Sequence, residues 1–183
     1  MKKMSKLSIL ILTILCFSWH FGAAQNGASP EDKLKELGIV LIKPVAPVAT
    51  YVTAVRAENM VYLSGHGPDL PDGSLVKGKV GKELTLEEAR DAARLTGISL
   101  LSTLKAEIGS LNKVKRIVKI LGMVNAVPDF ENHPQVINGC SDLMVAIFGE
   151  NGRHARSAVG MGSLPFNIPV EIEMIVELKN DDE

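Results

Sequence analysis

The sequence predicts a single α+β domain in which two helices pack on one face of a mixed β-sheet. The clearest observation is the alternation in Ile168–Leu178, where every second residue is apolar and the residues between include three glutamates. Successive side chains of a strand point to opposite faces, so this segment predicts a strand with one buried and one wet face. Two amphipathic helical patterns, one beginning at Leu86 and one ending at Phe148, supply the helices.

The composition is that of one globular domain without a nucleic-acid-binding surface. The chain has 183 residues, of which 46% are apolar and 22% are charged, enough for one full hydrophobic core. Aromatic residues make up 4% and the net charge is −1. Both values argue against stacking platforms for bases and against a broad phosphate-binding surface. We therefore expect no nucleic-acid partner.

Residues 1–25 have the pattern of a secretory signal peptide. Lysines open the segment, the apolar run Leu7–Phe17 follows, and small residues lead to Ala24 and Gln25, where we expect cleavage. The apolar run is shorter than the ~20 residues that a membrane-spanning helix needs. The mature protein is therefore expected in the periplasm or outside the cell, with no membrane contact after cleavage. Lipid attachment at Cys16, or retention of the segment as an anchor, are the alternatives.

A leader and a hairpin precede the first long helix. Residues 26–43 form an N-terminal leader, in which Ser29 is the expected cap of a short helix. Residues 44–179 form the main domain. It begins with a β-hairpin, because two runs rich in Val and Tyr flank a short polar turn. The short helix covers Glu31–Leu37, and the hairpin arms are Tyr51–Ala57 and Met60–Ser64, joined at Glu58-Asn59.

Helices and strands alternate through the rest of the chain. Thr85 and Glu88 form a capping-box pattern at the start of the long helix, which Gly109 ends. Lys113–Ala126 alternates as a strand with one apolar and one semi-apolar face. Such a strand favours helices on one side and a partner subunit or a cleft on the other. A second helix, Pro134–Phe148, and two strands, His154–Met161 and Ile168–Leu178, complete the chain.

Arg156 and the glutamates of the last strand are the candidate functional residues. Arg156 lies among small residues that leave room for a ligand. Its planar guanidinium matches a carboxylate in two parallel hydrogen bonds. If the last two strands pair, Arg156 shares a face with one of the glutamates at 171, 173 and 177, and a carboxylate beside a bound substrate can deprotonate a water. The alternatives are an exposed strand arginine and the wet face of an amphipathic strand.

A metal site is not expected. The three histidines of the mature chain have no ligand-like spacing, and no cluster of cysteines joins them.

Several segments, taken in order, resemble the RidA/YjgF family, and the resemblance covers Pro44–Leu178. The matching pieces are Tyr51, Asn59-Met60-Val61-Tyr62-Leu63-Ser64-Gly65-His66, Asp129-Phe130, Ala155-Arg156-Ser157-Ala158-Val159 and Val170-Glu171-Ile172-Glu173. Asn138-Gly139 and the run around Arg156 are similar to a longer, less-characterised branch. The resemblance implies a fold like that of Bacillus chorismate mutase and homotrimers with a site at each subunit interface.

The resemblance also implies a reaction. Characterised members hydrolyse reactive enamines and imines, such as 2-aminoacrylate, to 2-keto acids and ammonia without a cofactor. Arg156 matches the family arginine that binds the substrate carboxylate, and Glu173 matches the glutamate that orients the attacking water. Tyr51 and Gly65 match residues of the pocket wall, and Asn138 is a further candidate for it.

Three functions are compatible with this sequence. The first is an exported imine or enamine deaminase acting on a small carboxylate-bearing ligand. The second is a trimer that binds small carboxylates without catalysis. For either of these two functions Ala158 is a candidate substrate-binding residue: it stands where deaminating members often carry cysteine, and its backbone N–H, but no thiol, is available to the carboxylate. The third is RNA cleavage, an activity of some relatives, against which the composition and the export signal argue.

Overall fold

A five-stranded mixed sheet forms the centre of the fold. The computed structural model describes residues 27–44, 47 and 49–180, so the predicted signal peptide at residues 1–25 lies outside the described part. The strands are Ala54–Ala57 (β1), Met60–His66 (β2), Val114–Asn125 (β3), Ala155–Met161 (β4) and Val170–Leu178 (β5). Their order in the sheet is β1-β2-β5-β3-β4. The β3–β4 pair is parallel, and the other pairs are antiparallel.

Three α-helices are found in the described part: Pro30–Glu36 (α1), Leu86–Ile108 (α2) and His133–Phe148 (α3). The predicted capping box begins α2. The Thr85 side chain accepts a hydrogen bond from the Glu88 N–H at 3.2 Å, and the Glu88 carboxylate accepts one from the Thr85 N–H at 2.8 Å. None of the described helices is long and apolar enough to cross a membrane.

The helices α2 and α3 pack together and cover one face of the sheet, which confirms the predicted α+β fold class. Two glycines allow this close packing. A Cβ atom on Gly122 of β3 would lie 2.5 Å from the Ile137 side chain of α3. A Cβ atom on Gly139 of α3 would lie 2.9 Å from the carbonyl carbon of Arg90 in α2. The sheet residues beneath the helices are fully buried, as Ile120 and Met174 illustrate.

The last two strands of the chain are not neighbours, because β3 lies between β4 and β5. Ile120 stands opposite Arg156 on one side and Met174 on the other, whereas Leu121 stands opposite Glu173. Paired residues of adjacent strands point to the same face, so Arg156 faces the helices and Glu173 faces the open side. The hypothesis that the last two strands pair is therefore wrong, and within one chain Arg156 shares a face with none of the glutamates at 171, 173 and 177. The alternation of apolar and polar residues shows which side chains of a strand share a face, but it does not identify the strands that lie next to it in the sheet.

The face of the sheet away from the helices is partly apolar, as the pattern of β3 predicts. Val55, Tyr62, Val159 and Met161 point to this side, and each is more than a third exposed, at 53, 45, 41 and 38%. These exposed apolar side chains stand at the two edges of the face, on β1 and β2 and on β4.

Candidate active site

Arg156 is half-buried on β4, and its side chain reaches α3. Its Nη1 donates to Oδ1 of Asn138 at 2.8 Å and to Oγ of Ser141 at 3.0 Å. Both acceptors are neutral oxygens, and within the described residues Arg156 forms no ion pair. Because the two hydrogens of Nη1 are used, the edge formed by Nε and Nη2 remains available. That edge fits a carboxylate in two parallel hydrogen bonds.

The helix α3 therefore supplies two partners of Arg156, one of which the sequence predicts. Asn138 is among the predicted pocket residues, and the structure places it against Arg156. Ser141 is absent from the predicted set. Its signal is its spacing, because residues three apart in a helix lie on one face, and Ser141 follows Asn138 by three positions.

A cavity of about 410 Å³ lies beside β2 and β5. Its wall includes two residues that the sequence predicts for the pocket, Tyr51 and Gly65, together with the side chain of Glu171. Its volume and its mixture of apolar and polar groups are typical of a small-molecule site. The apolar part of the wall is formed by Ile42, Leu75, Phe166 and Ile168.

Glu171 is the glutamate of β5 that lines this cavity. Gly65 allows its approach, since a Cβ atom on Gly65 would lie 2.8 Å from the carboxyl carbon of Glu171. Burial raises the pKa of Glu171, and the charge of Glu173 raises it further. A carboxylate with a raised pKa is a stronger base once ionised, and it lies here where a small ligand would bind.

Glu173, the predicted water-orienting residue, is exposed and does not line the cavity. Alternation treats the glutamates of β5 alike. What distinguishes Glu171 is the glycine across from it in β2, and that neighbour is a property of the tertiary fold.

His66 forms a buried polar part of the cavity wall. Its Nε2 lies 2.8 Å from Oγ1 of Thr103, and its Nδ1 lies 2.7 Å from the backbone oxygen of Ser64. Burial lowers the pKa of His66, so the ring is neutral at neutral pH. We assign it to the wall of the cavity. Among the described residues no group of three or more His, Cys, Asp or Glu is placed to hold a metal ion.

The predicted site residues thus fall into two groups. The arginine half-site consists of Asn138, Arg156 and Ala158, since Ala158 follows Arg156 by two residues and shares its face. The cavity half-site consists of Tyr51 and Gly65, joined by Glu171. Within one chain β3 separates the two half-sites, and Arg156 and Glu171 belong to opposite faces of the sheet. Neither half-site alone holds both an anion-binding group and a base.

A sheet covered on one face by two helices, with an anchored arginine and a cavity lined by a carboxylate, defines an α+β protein suited to small ligands. Residues 31–178 match the model of the YjgF/chorismate mutase-like endoribonuclease family. The chain belongs to this family, which confirms the resemblance found in its sequence.

The matches to individual relatives span nearly the whole length of each relative. The Agrobacterium tumefaciens protein Atu1372 is 43% identical, with a TM-score of 0.75, and the match covers 82% of this chain and 94% of that one. Protein TCP17 of Trypanosoma cruzi is 41% identical over 148 residues, which are 80% of this chain and 92% of the relative. A 2-iminobutanoate/2-iminopropanoate deaminase of Dermatophagoides farinae is 30% identical over 143 residues, 76% of this chain and 96% of the relative.

Proposed function

We propose that the protein hydrolyses small 2-imino and 2-enamino acids to 2-keto acids and ammonia. The observation that carries the proposal is Arg156, a half-buried guanidinium that rests on two neutral oxygens and has no carboxylate partner among the described residues. Buried or half-buried charges in proteins are usually paired, so a free guanidinium edge supports an anionic ligand. The deaminase relative supports an imino acid as that ligand.

Glu171 is the residue that we assign to the water in this proposal, in place of the predicted Glu173. The water adds to C2 as the C=N bond opens, and the Glu171 carboxylate accepts its proton and passes it to the nitrogen, which gives a carbinolamine. Glu171 then moves the hydroxyl proton to the same nitrogen, and the C–N bond breaks to leave the keto acid and ammonia. The bound carboxylate fixes the distance between C2 and the water, which lowers the entropic part of the barrier. The reaction consumes water alone and takes no cofactor.

The active site in this proposal lies between copies of the chain, in a homotrimer. Two observations support it: the half-sites are incomplete within one chain, and the open face of the sheet exposes Tyr62, Val159 and Met161. Burial of these side chains against another copy would stabilise an oligomer.

Mixing of variants tests the shared site. Arg156→Ala and Glu171→Gln each inactivate one half-site, so either homo-oligomer should be inactive. When the two are unfolded together and refolded, some interfaces combine two intact halves, and activity should return. A mixture that stays as inactive as its components, although both variants fold and exchange subunits, would contradict a site between copies.

The reaction itself is tested with 2-aminoacrylate generated in the assay, with keto acid as the measured product. Arg156→Ala should abolish its formation, whereas Arg153→Ala should not, because Arg153 is an exposed arginine that contacts Glu150 at 3.1 Å. Wild-type protein without a rate above buffer would reject the proposal for this substrate. Saturable binding of 2-oxobutanoate without turnover would favour a carboxylate-binding protein instead.

We also propose that the protein is exported, because of the signal-like pattern of residues 1–25. N-terminal sequencing of protein from the periplasm or medium should begin near Asn26. A chain that begins at Met1 in the cytoplasm would contradict export.

A further inference from the structure

We propose that His154 and Ser141 are positioning residues that hold the Arg156 guanidinium with its Nε and Nη2 edge turned to the ligand. This inference rests on the proposed role of Arg156 as the carboxylate-binding group. His154 directly precedes β4, and Ser141 lies on α3 beside Asn138. Neither residue is assigned a site role from the sequence alone.

The tautomer of His154 follows from its contacts. Its Nδ1 lies 2.7 Å from the backbone oxygen of Gly152, and a carbonyl oxygen only accepts, so Nδ1 carries a hydrogen. Burial lowers the pKa of His154, and the positive charge of Arg156 lowers it as well, although the hydrogen bond to Gly152 opposes them. The ring is therefore neutral at neutral pH, and its Nε2 is an acceptor.

The direction of the Ser141 hydroxyl follows in turn. Its Oγ lies 3.1 Å from Nε2 of His154, and the neutral ring accepts there, so Ser141 donates its hydrogen to His154. The lone pairs of Oγ are then left for Nη1 of Arg156 at 3.0 Å. Arg156 donates to Ser141, Ser141 donates to His154, and His154 donates to the Gly152 carbonyl, so the series has a single direction.

The consequence is an oriented guanidinium. Ser141 and Asn138 use both hydrogens of Nη1, and rotation about the last bonds of the side chain would break both contacts. Without His154 the hydroxyl is free to turn its hydrogen toward Arg156, which would repel Nη1. His154 thus acts on the ligand only through Ser141 and Arg156.

Steady-state kinetics of imine hydrolysis give the first test. Ser141→Ala removes one acceptor of a charged donor, which we expect to raise KM on the order of tenfold while kcat changes little. Ser141→Thr keeps the hydroxyl and should restore KM. Thr96→Val is the control: it removes a buried helix hydroxyl that donates to the Ala92 carbonyl and that contacts neither Arg156 nor the cavity, so KM should not change.

A double-mutant cycle separates positioning from a general loss of packing. His154→Phe should raise KM several-fold, and the variant with both His154→Phe and Ser141→Ala should be no worse than Ser141→Ala alone. Additive effects of the two substitutions would overturn the inference. So would an unchanged KM in a folded Ser141→Ala variant.

A ligand-free measurement decides the inference even if the protein does not hydrolyse imines. In ¹⁵N NMR of the guanidinium groups, rotation about the Cζ–Nη1 bond of Arg156 should be slow in the wild type. It should be faster in Ser141→Ala and His154→Phe and unchanged in Thr96→Val. Fast rotation already in the wild type would reject the positioning role independently of any enzymatic result.

Discussion

Substitution of Gly65 by alanine tests whether the position of the Glu171 carboxylate determines the rate. The new Cβ would clash first with Oε1 of Glu171 and would lie 2.8 Å from its carboxyl carbon. Non-bonded carbon atoms prefer a separation of about 3.5–4.0 Å, so the carboxyl group must withdraw by at least about 1 Å. A displacement of that size at a catalytic group lowers the rate by roughly 100-fold. We therefore expect kcat/KM for imine hydrolysis to fall by about that factor.

The fold should tolerate the same substitution. The atoms that the new Cβ would meet belong to the far end of the Glu171 side chain, which can rotate toward solvent. We expect the free energy of unfolding to change by less than about 1 kcal/mol, because no backbone atom has to move. Urea unfolding of the Gly65→Ala variant measures this directly, beside the kinetic assay.

Gly67→Ala is the matched control, because Gly67 lies two residues further on and also lines the cavity. A Cβ there would lie 3.2 Å from Cδ1 of Ile168 and has no contact with Glu171 within 4 Å, so it adds a methyl group to the cavity wall without displacing the carboxylate. Its kcat/KM should exceed that of Gly65→Ala by about tenfold or more. If the folded Gly65→Ala variant is as active as Gly67→Ala, the carboxylate of Glu171 is not positioned by Gly65 for the reaction, and its assignment as the base is wrong.

Two further predictions concern charge and packing. Because Glu173 raises the pKa of Glu171, Glu173→Gln should move the acid limb of the pH–rate profile to lower pH, whereas Glu171→Gln should remove most of kcat. The shift has this direction because Glu171 acts in its ionised form. Activity is lost as the pH falls through the pKa of Glu171, so a lower pKa moves that loss to lower pH. A profile unchanged by Glu173→Gln would contradict the coupling. Gly139→Ala should destabilise the fold by about 1–3 kcal/mol, since its Cβ would meet the Arg90 backbone. Gly162→Ala, with no heavy atom within 4 Å of its Cβ, should leave the melting temperature nearly unchanged.

The elements of this fold depend on local patterns, and the sequence predicts them closely. The capping box at Thr85 and the helix end at Gly109 were expected and are observed, because both depend on contacts within four residues of the chain. The hairpin turn at Glu58-Asn59 joins β1 and β2 as expected, with Glu58 at a φ of 54°. Four of the ten predicted strand ends coincide with the observed ones and the others differ by one to three residues, because alternation does not mark where a strand stops.

Only part of the candidate site could be predicted from the sequence, because the order of the strands in the sheet was not predictable. Sequence patterns identify Arg156 as a candidate for a carboxylate and place it on one side of its strand. They cannot show that β3 separates its strand from that of the glutamates, because strand pairing joins residues that are distant in sequence.

The sequence by itself determined the helices and strands, the family, and the choice of Arg156 as a candidate residue for binding a carboxylate. The tertiary structure alone decided which glutamate lines a cavity, since Gly65 and Glu171 meet only when β2 and β5 pair. It alone decided how Arg156 is held, since Ser141 and His154 come together only when α3 packs over β4. The physical reason is the same in both cases. The face of a strand or helix to which a side chain points follows from the regular repeat of that element, whereas the residues it contacts depend on how distant segments of the chain pack together.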